Sequence, residues 1–235
     1  MTTLLDAGPV LAALATVRDP ELDEPITALG FVASATLSPA GAARVELRLP
    51  TYFCAPNFAY LMVADAYDAV SAVDGVRRAE VVLTDHFAAG PINDGVAARA
   101  GFAGSFQGEA VGELDGLRAD FVRRAVLAGT DLVCRPLVGA GVEPAALAAL
   151  TLGEVPPSPD LTRLRERRAE LGLPAGDGAP LLVDPATGGP VPVDAVPLHL
   201  RKARTTRVNI EANTGICRGM LQHRYQTRGQ GEEDA

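Results

Sequence analysis

The sequence predicts an α+β fold: a small helix–strand–strand–helix–strand domain with a three-stranded sheet, followed by a mostly helical C-terminal region with a short hairpin. Three patterns predict it. From Arg44 to Leu49 apolar and charged residues alternate, with Val45, Leu47 and Leu49 on one face and Arg44, Glu46 and Arg48 on the other. A helical-period stretch from Phe58 to Val73 separates two strand-like segments. Farther on, Leu117, Phe121, Ala125, Ala128 and Leu132 keep helical register in a segment from Leu114 to Leu132.

The elements follow in order. Leu4, Val10, Leu11, Leu14 and Val17 recur at helical spacing, so residues 4–17 are expected to be helical up to Arg18-Asp19-Pro20-Glu21. The residue before a proline is pushed out of the α region, which stops the helix there. The first strand is expected within Ile26 to Leu37 and turns at Ser38-Pro39-Ala40-Gly41. Arg44 to Leu49 forms the second strand, and the pair makes an antiparallel hairpin with one wet face. Pro50 to Asn57 breaks the pattern before the Phe58–Val73 helix, which Gly75 ends. Val76 to Thr84 supplies the third strand. Residues 88–110, rich in Gly and Ala, read as a linker with a short helical piece. After the Leu114–Leu132 helix, which Pro136 is expected to end, come helices at Pro144–Leu150 and Asp160–Leu171. A hairpin follows around Pro185–Pro190, and a last element runs from Arg207 to Tyr225. The expected domains are therefore 1–87, a linker at 88–110, a mostly helical region at 111–225 and a disordered polar tail at 226–235.

Composition narrows the function classes. The 235 residues are 48% hydrophobic, enough to bury a core, but no run reaches the roughly 18 apolar residues a membrane span requires. The segment from Met1 to Val10 lacks a basic region followed by an apolar stretch, so a cytoplasmic location is the expectation. A net charge of −8 argues against a nucleic-acid binder. Arg201, Lys202, Arg204 and Arg207 nonetheless form a local basic cluster, read either as a solvated face or as a docking patch for an acidic partner or a phosphate.

Cys54, Cys134 and Cys217 lie 80 and 83 residues apart with no CxxC pair, which argues against a zinc knuckle or a ferredoxin-type cluster site. The odd count also argues against a disulfide framework. Cys54 falls just before a helix expected to start near Pro56, where the helix dipole favours thiolate over thiol. Cys134 sits in an amphipathic helix and reads as a packed core residue. Cys217 lies between Gly215 and Gly219 beside Arg218, and structural and functional roles stay open for it.

Connectivity brings some of these groups together. A strand–helix–strand unit makes the second and third strands parallel, so both end at one edge of the sheet. The first strand, antiparallel to the second, begins at that edge. Asp19-Pro20-Glu21, the Thr51–Asn57 loop and Asp85-His86 should therefore converge, where open α/β sheets place their sites. His86 can ligate a metal or donate a hydrogen bond there. Asp19 can ligate or cap, and Glu21 can ligate or stay solvated.

Residues 5–87 resemble the SufT/PaaD-type iron–sulfur assembly domain. The resemblance rests on Val17-Arg18-Asp19-Pro20-Glu21 after a first helix and on Ile26 through Leu29-Gly30-Phe31-Val32 entering strand one. It rests also on the Leu49-Pro50-Thr51-Tyr52-Phe53-Cys54-Ala55-Pro56 loop and on Val81-Val82-Leu83 after Gly75-Val76. Two departures stand out. Asp85-His86-Phe87 occupies the place of a frequent proline and tryptophan, and Cys54 stands between Phe53 and Ala55 where a glycine commonly precedes and a proline directly follows.

The resemblance implies an accessory factor or metallochaperone for iron–sulfur cluster assembly or metal delivery, with Cys54 as the functional thiol and Asp19 and Glu21 in the signature. Iron or an iron–sulfur cluster would be held transiently, by Cys54 and Cys217 as cofactor-binding residues and by Cys54, His86, Asp19 and Glu21 as metal ligands. The expected partners are a client metalloenzyme and other cluster-assembly proteins, with no nucleic acid and no membrane. A homodimer is an open arrangement that no residue pattern specifies. Two alternatives remain: a metal-free interaction module or adaptor, and an enzyme using Cys54 as nucleophile with His86 as base.

Overall fold

The computed structural model describes residues 7–108, 110 and 112–231, and it is α+β. Positions 4–6 of the expected first helix and residues 232–235 of the expected tail lie outside the described residues. The chain forms two compact units. One comprises the chain up to Asp115 together with the segment from Asn213 onward; the other is Gly116–Ala212.

In the first unit, α1 (Gly8–Leu14) is followed by β1 (Val32–Leu37), β2 (Ala42–Leu47), α2 (Pro56–Ser71) and β3 (Arg78–Leu83). The sheet order is β1-β2-β3, with β1 antiparallel to β2 and β2 parallel to β3. This is the arrangement that the strand–helix–strand rule requires. The alternation in β2 sorts as expected: Val45, Leu47 and Leu49 are buried, while Arg44 on the outer face bonds Glu80 of β3 at 2.6 Å. Val10 and Leu14 of α1 and Ala59, Met62, Val63, Ala66 and Val70 of α2 close over the apolar side in one core.

The hairpin turn depends on Gly41. Its φ is +80°, and a Cβ there would stand 2.5 Å from the carbonyl oxygen of Gly75. The carbonyl of Gly41 also accepts from Arg77 N–H at 2.8 Å, so the turn before β2 is stitched to the turn before β3.

Residues 88–110, expected to be a linker with one short helical piece, hold two helices. They carry α3 (Ala89–Ala97) and α4 (Gly101–Ser105), and Ile92 and Val96 enter the first core. Asn93 explains the docking further. Its Oδ1 accepts from Leu83 N–H at 2.8 Å and its Nδ2 donates to Leu83 O at 3.0 Å. One side-chain amide thus satisfies both backbone groups at the end of edge strand β3.

The second unit contains most of α5 (Asp115–Gly139), α6 (Pro159–Glu170) and the first part of α7 (Val196–Gly231). Short 3₁₀ segments lie at Pro144–Ala149 and Val193–Ala195. Pro136 does not end α5, which runs on to Gly139. Proline removes one N–H bond and crowds the preceding turn, and here only three residues of helix remain beyond it to lose support. The expected hairpin is present as an antiparallel bridge between Val183 and Pro190. Val126, Val133, Leu147, Leu164, Leu181 and Val196 share a second core. Arg168 is fully buried, with Nη1 on Pro180 O at 2.8 Å and Nη2 on Leu181 O at 2.6 Å. Arg207 pairs with Asp131 at 2.6 Å.

The last helix is longer than the pattern from Arg207 to Tyr225 suggests. It starts at Val196 and stays helical to Gly231, through the first half of the segment expected to be disordered.

Candidate thiol site at the sheet edge

Cys54 lies in the loop between β2 and α2, two residues before Pro56 at the helix start. The loop must turn sharply, because β2 ends in the core and α2 begins with a proline that cannot donate. Three contacts hold it. Thr51 Oγ1 donates to Cys54 Sγ at 3.3 Å. Phe87 N–H donates to Tyr52 O at 3.1 Å. His86 Nε2 meets the carbonyl oxygen of Cys54 at 2.7 Å.

The tautomer of His86 follows from its second contact. Its Nδ1 lies 3.2 Å from Ala88 N–H and must accept there. The ring proton therefore sits on Nε2 and is donated to Cys54 O. Burial holds this imidazole below the usual histidine range. The Cys54 carbonyl opposes that shift and the Arg224 charge adds to it. His86 is thus a neutral clamp with both ring nitrogens on backbone groups, and neither contact is to Cys54 Sγ.

Asp19 closes another side. It is 7% exposed, and its Oδ1 accepts from Glu21 N–H and Leu22 N–H, both at 2.8 Å. Burial pushes its carboxyl up to about 6, against the lowering effect of those two N–H groups; the Glu21 charge raises it further. Asp19 therefore caps the turn.

The second thiol arrives from the far end of the chain. From Asn213 onward α7 belongs to this unit, and Cys217, Leu221 and Tyr225 pack on its core. The Cys217 thiol is pushed up to about 11, first by burial and then by the negative charges of Asp19, Cys54 and Glu21. Asn213 Nδ2 donates to Glu21 Oε1 at 3.3 Å. Arg224 fastens the helix to the sheet edge, donating to Leu49 O at 2.9 Å and to Asp85 O at 2.6 Å, with its guanidinium 2.8 Å from the Asp85 carboxylate.

The structure thus gathers Asp19, Glu21, Cys54 and Cys217 at one edge, with His86 behind the Cys54 loop. Among the described residues, no group of three or more His, Cys, Asp or Glu side chains stands close enough to hold a metal ion by itself. Cys134 is elsewhere, 2% exposed within the second core, and burial pushes its thiol up to about 12.

Asn213 and Arg224 are absent from the expected site. The signal for their helix was the spacing of Thr214, Cys217, Leu221 and Tyr225, which places one stripe on one face. Beside Cys54 three aromatic rings lie open. Phe53 is 76% exposed, and its ring centroid is 5.0 Å from that of Tyr52 and 5.9 Å from that of Phe87.

Residues 9–82 match a family model described as "Iron-sulfur cluster assembly protein". The match spans α1 to β3 and includes Asp19, Glu21 and Cys54; His86 and Cys217 lie beyond it. No curated protein matches the chain, and no solved structure does. Among the described residues no helix is long and apolar enough to cross a membrane.

Proposed function

We propose that this protein is an accessory factor in iron–sulfur cluster assembly of the SufT/PaaD type. Cys54 is the working thiol, and Cys217 supports it in holding iron or a cluster in transit to a client metalloenzyme. The observation that carries the reading is that residues 9–82, which include Asp19, Glu21 and Cys54, match an assembly family, with Cys217 packed on the core of the same unit.

The chemistry suits a carrier. Cargo must be taken up and given away, and a donor set short of a closed cage leaves positions for the client's own ligands. The exposed Tyr52, Phe53 and Phe87 rings flank the thiol, where a client has to approach. His86 fixes the backbone of the Cys54 loop, so the thiol is presented from a set position.

The adaptor alternative draws on the same aromatic surface and needs no metal. The nucleophile alternative has less support, because His86 meets the carbonyl of Cys54 and not its sulfur.

Anaerobic reconstitution of the full chain with iron and sulfide tests the proposal. Wild type is expected to take up iron with a thiolate absorption, and Cys54→Ala and Cys217→Ala should each reduce it. A wild-type protein that stays metal-free after reconstitution, with a Cys54→Ala variant that still supports its client, would favour the adaptor instead.

A further inference from the structure

A second site lies in the Gly116–Ala212 unit. The C-terminal half of α5 and the first turns of α7 border a cleft of about 520 Å³. Arg135 lines it from α5, and Arg201 and Arg204 from α7. Cys134, Val138, Pro144 and Leu200 supply its apolar surface. At one end sits Arg207, already held by Asp131 at 2.6 Å and Glu211 at 2.5 Å.

The charges in this cleft do not balance. Arg201, Arg204 and Arg207 recur at three-residue spacing on one helix face, an arrangement that repels itself. Asp131 is the only acid lining the cleft, and Arg207 occupies it. Arg135, Arg201 and Arg204 are exposed and have no hydrogen-bonding or ion-pair partner among the described residues. The protein as a whole is acidic, at −8. Residues 116–212 nonetheless hold twelve Lys and Arg against eleven Asp and Glu, so positive charge is concentrated here against the trend of the chain.

We propose that this cleft binds a small organic phosphate carrying an apolar body. Guanidinium groups pair phosphate oxygens bidentately, and three of them around one cleft match a dianion. The apolar walls favour an organic ester over the free ion, and the volume lies in the range of small-ligand sites. Size separates this from larger partners. The stretch of α5 that lines the cleft, Asp131 to Val138, is roughly 10 Å long, room for about three residues of extended peptide. Three guanidiniums also fall short of the roughly six to ten phosphate contacts of a duplex binder. The thiol of Cys134, held protonated by burial, adds apolar surface and no charge.

The test is calorimetric titration of the full chain with 1-naphthyl phosphate, 1-naphthol, inorganic phosphate and tetraglutamate. Naphthyl phosphate is expected to bind saturably and more weakly as salt is raised. Naphthol should not bind, and inorganic phosphate should bind about tenfold more weakly because it leaves the apolar walls uncovered. Arg201→Ala and Arg204→Ala should each weaken naphthyl phosphate about tenfold, the loss expected for one charge-assisted hydrogen bond. Because these side chains are exposed, an unchanged melting temperature will show that the variants are folded. Three results would overturn the proposal: no saturable binding, binding unchanged in Arg135→Ala, Arg201→Ala and Arg204→Ala together, or tighter binding of tetraglutamate than of naphthyl phosphate.

Discussion

His86 donates its Nε2 proton to the carbonyl oxygen of Cys54 at 2.7 Å, across 32 residues of sequence. This bond joins the loop after β3 to the loop after β2 and sets the backbone from which the thiol projects. His86→Ala removes the donor from a half-buried carbonyl and should cost about 1 kcal/mol in urea denaturation. Cys54 should then react faster with a thiol reagent. An unchanged labelling rate would mean that the loop is held without the imidazole.

The same histidine carries a pH signature. Its folded pKa is depressed, so the neutral form stabilises the fold. That contribution is present above the unfolded value near 6.5 and is lost as pH falls below it. Protonation would also set a ring N–H against the N–H of Ala88. Wild type should therefore lose more stability than His86→Gln between pH 7 and pH 5, read as the shift in urea midpoint.

Asp19 acts in the opposite sense. Its carboxyl is raised from 3.8 to about 6 by burial. A raised folded pKa means that stability is fully present below pH 3.8 and declines as pH rises through about 6. Asp19→Asn keeps an oxygen to accept from Glu21 and Leu22 but cannot ionise. It should be more stable than wild type at pH 7.5, by on the order of 3 kcal/mol, and the gap should shrink toward pH 4. Equal pH dependence in the two proteins would show that Asp19 is not the group responsible.

The three cysteines should separate by reactivity. Cys134 is 2% exposed with its thiol pushed up to about 12, so it should label only on unfolding. Cys217, pushed up to about 11, should label slowly at pH 8. Peptide mapping after timed alkylation reads all three sites, and early modification of Cys134 would contradict the packing of the second core.

Gly41→Ala should be strongly destabilising. It puts a side chain at φ +80° and a Cβ 2.5 Å from Gly75 O. A loss of about 2 kcal/mol or more is expected from thermal melts, because strain and clash add. Gly75→Ala meets no atom within 4 Å but has φ +85°, so its loss should be smaller and come from strain alone.

Much of the first unit was legible in the sequence, for physical reasons. Period-2 alternation in β2 and the handed crossover through α2 allow few arrangements, and the approach of the His86 loop to the Cys54 loop follows from them. Three features were harder to see. Glycine and alanine in 88–110 dilute the helical signal, although Ile92 and Val96 at four-residue spacing mark the face that α3 buries. Proline suggested an end to α5, but near a helix terminus it removes too little to stop the chain. The bond from Arg224 to Leu49 joins residues 175 apart, and no local pattern encodes such a contact.

The first unit is assembled from two stretches of sequence with 97 residues of the second unit between them. This has a consequence for synthesis. A nascent chain that has emerged only as far as β3 and α4 already carries Cys54 and its clamping histidine, yet lacks Cys217, Leu221 and Arg224. Cys217 joins the core of this unit only when α7 has been made and has docked, an event of high contact order and therefore slow. Chains cut short within the second unit would lack Cys217 and Leu221 and leave a patch of the first core uncovered.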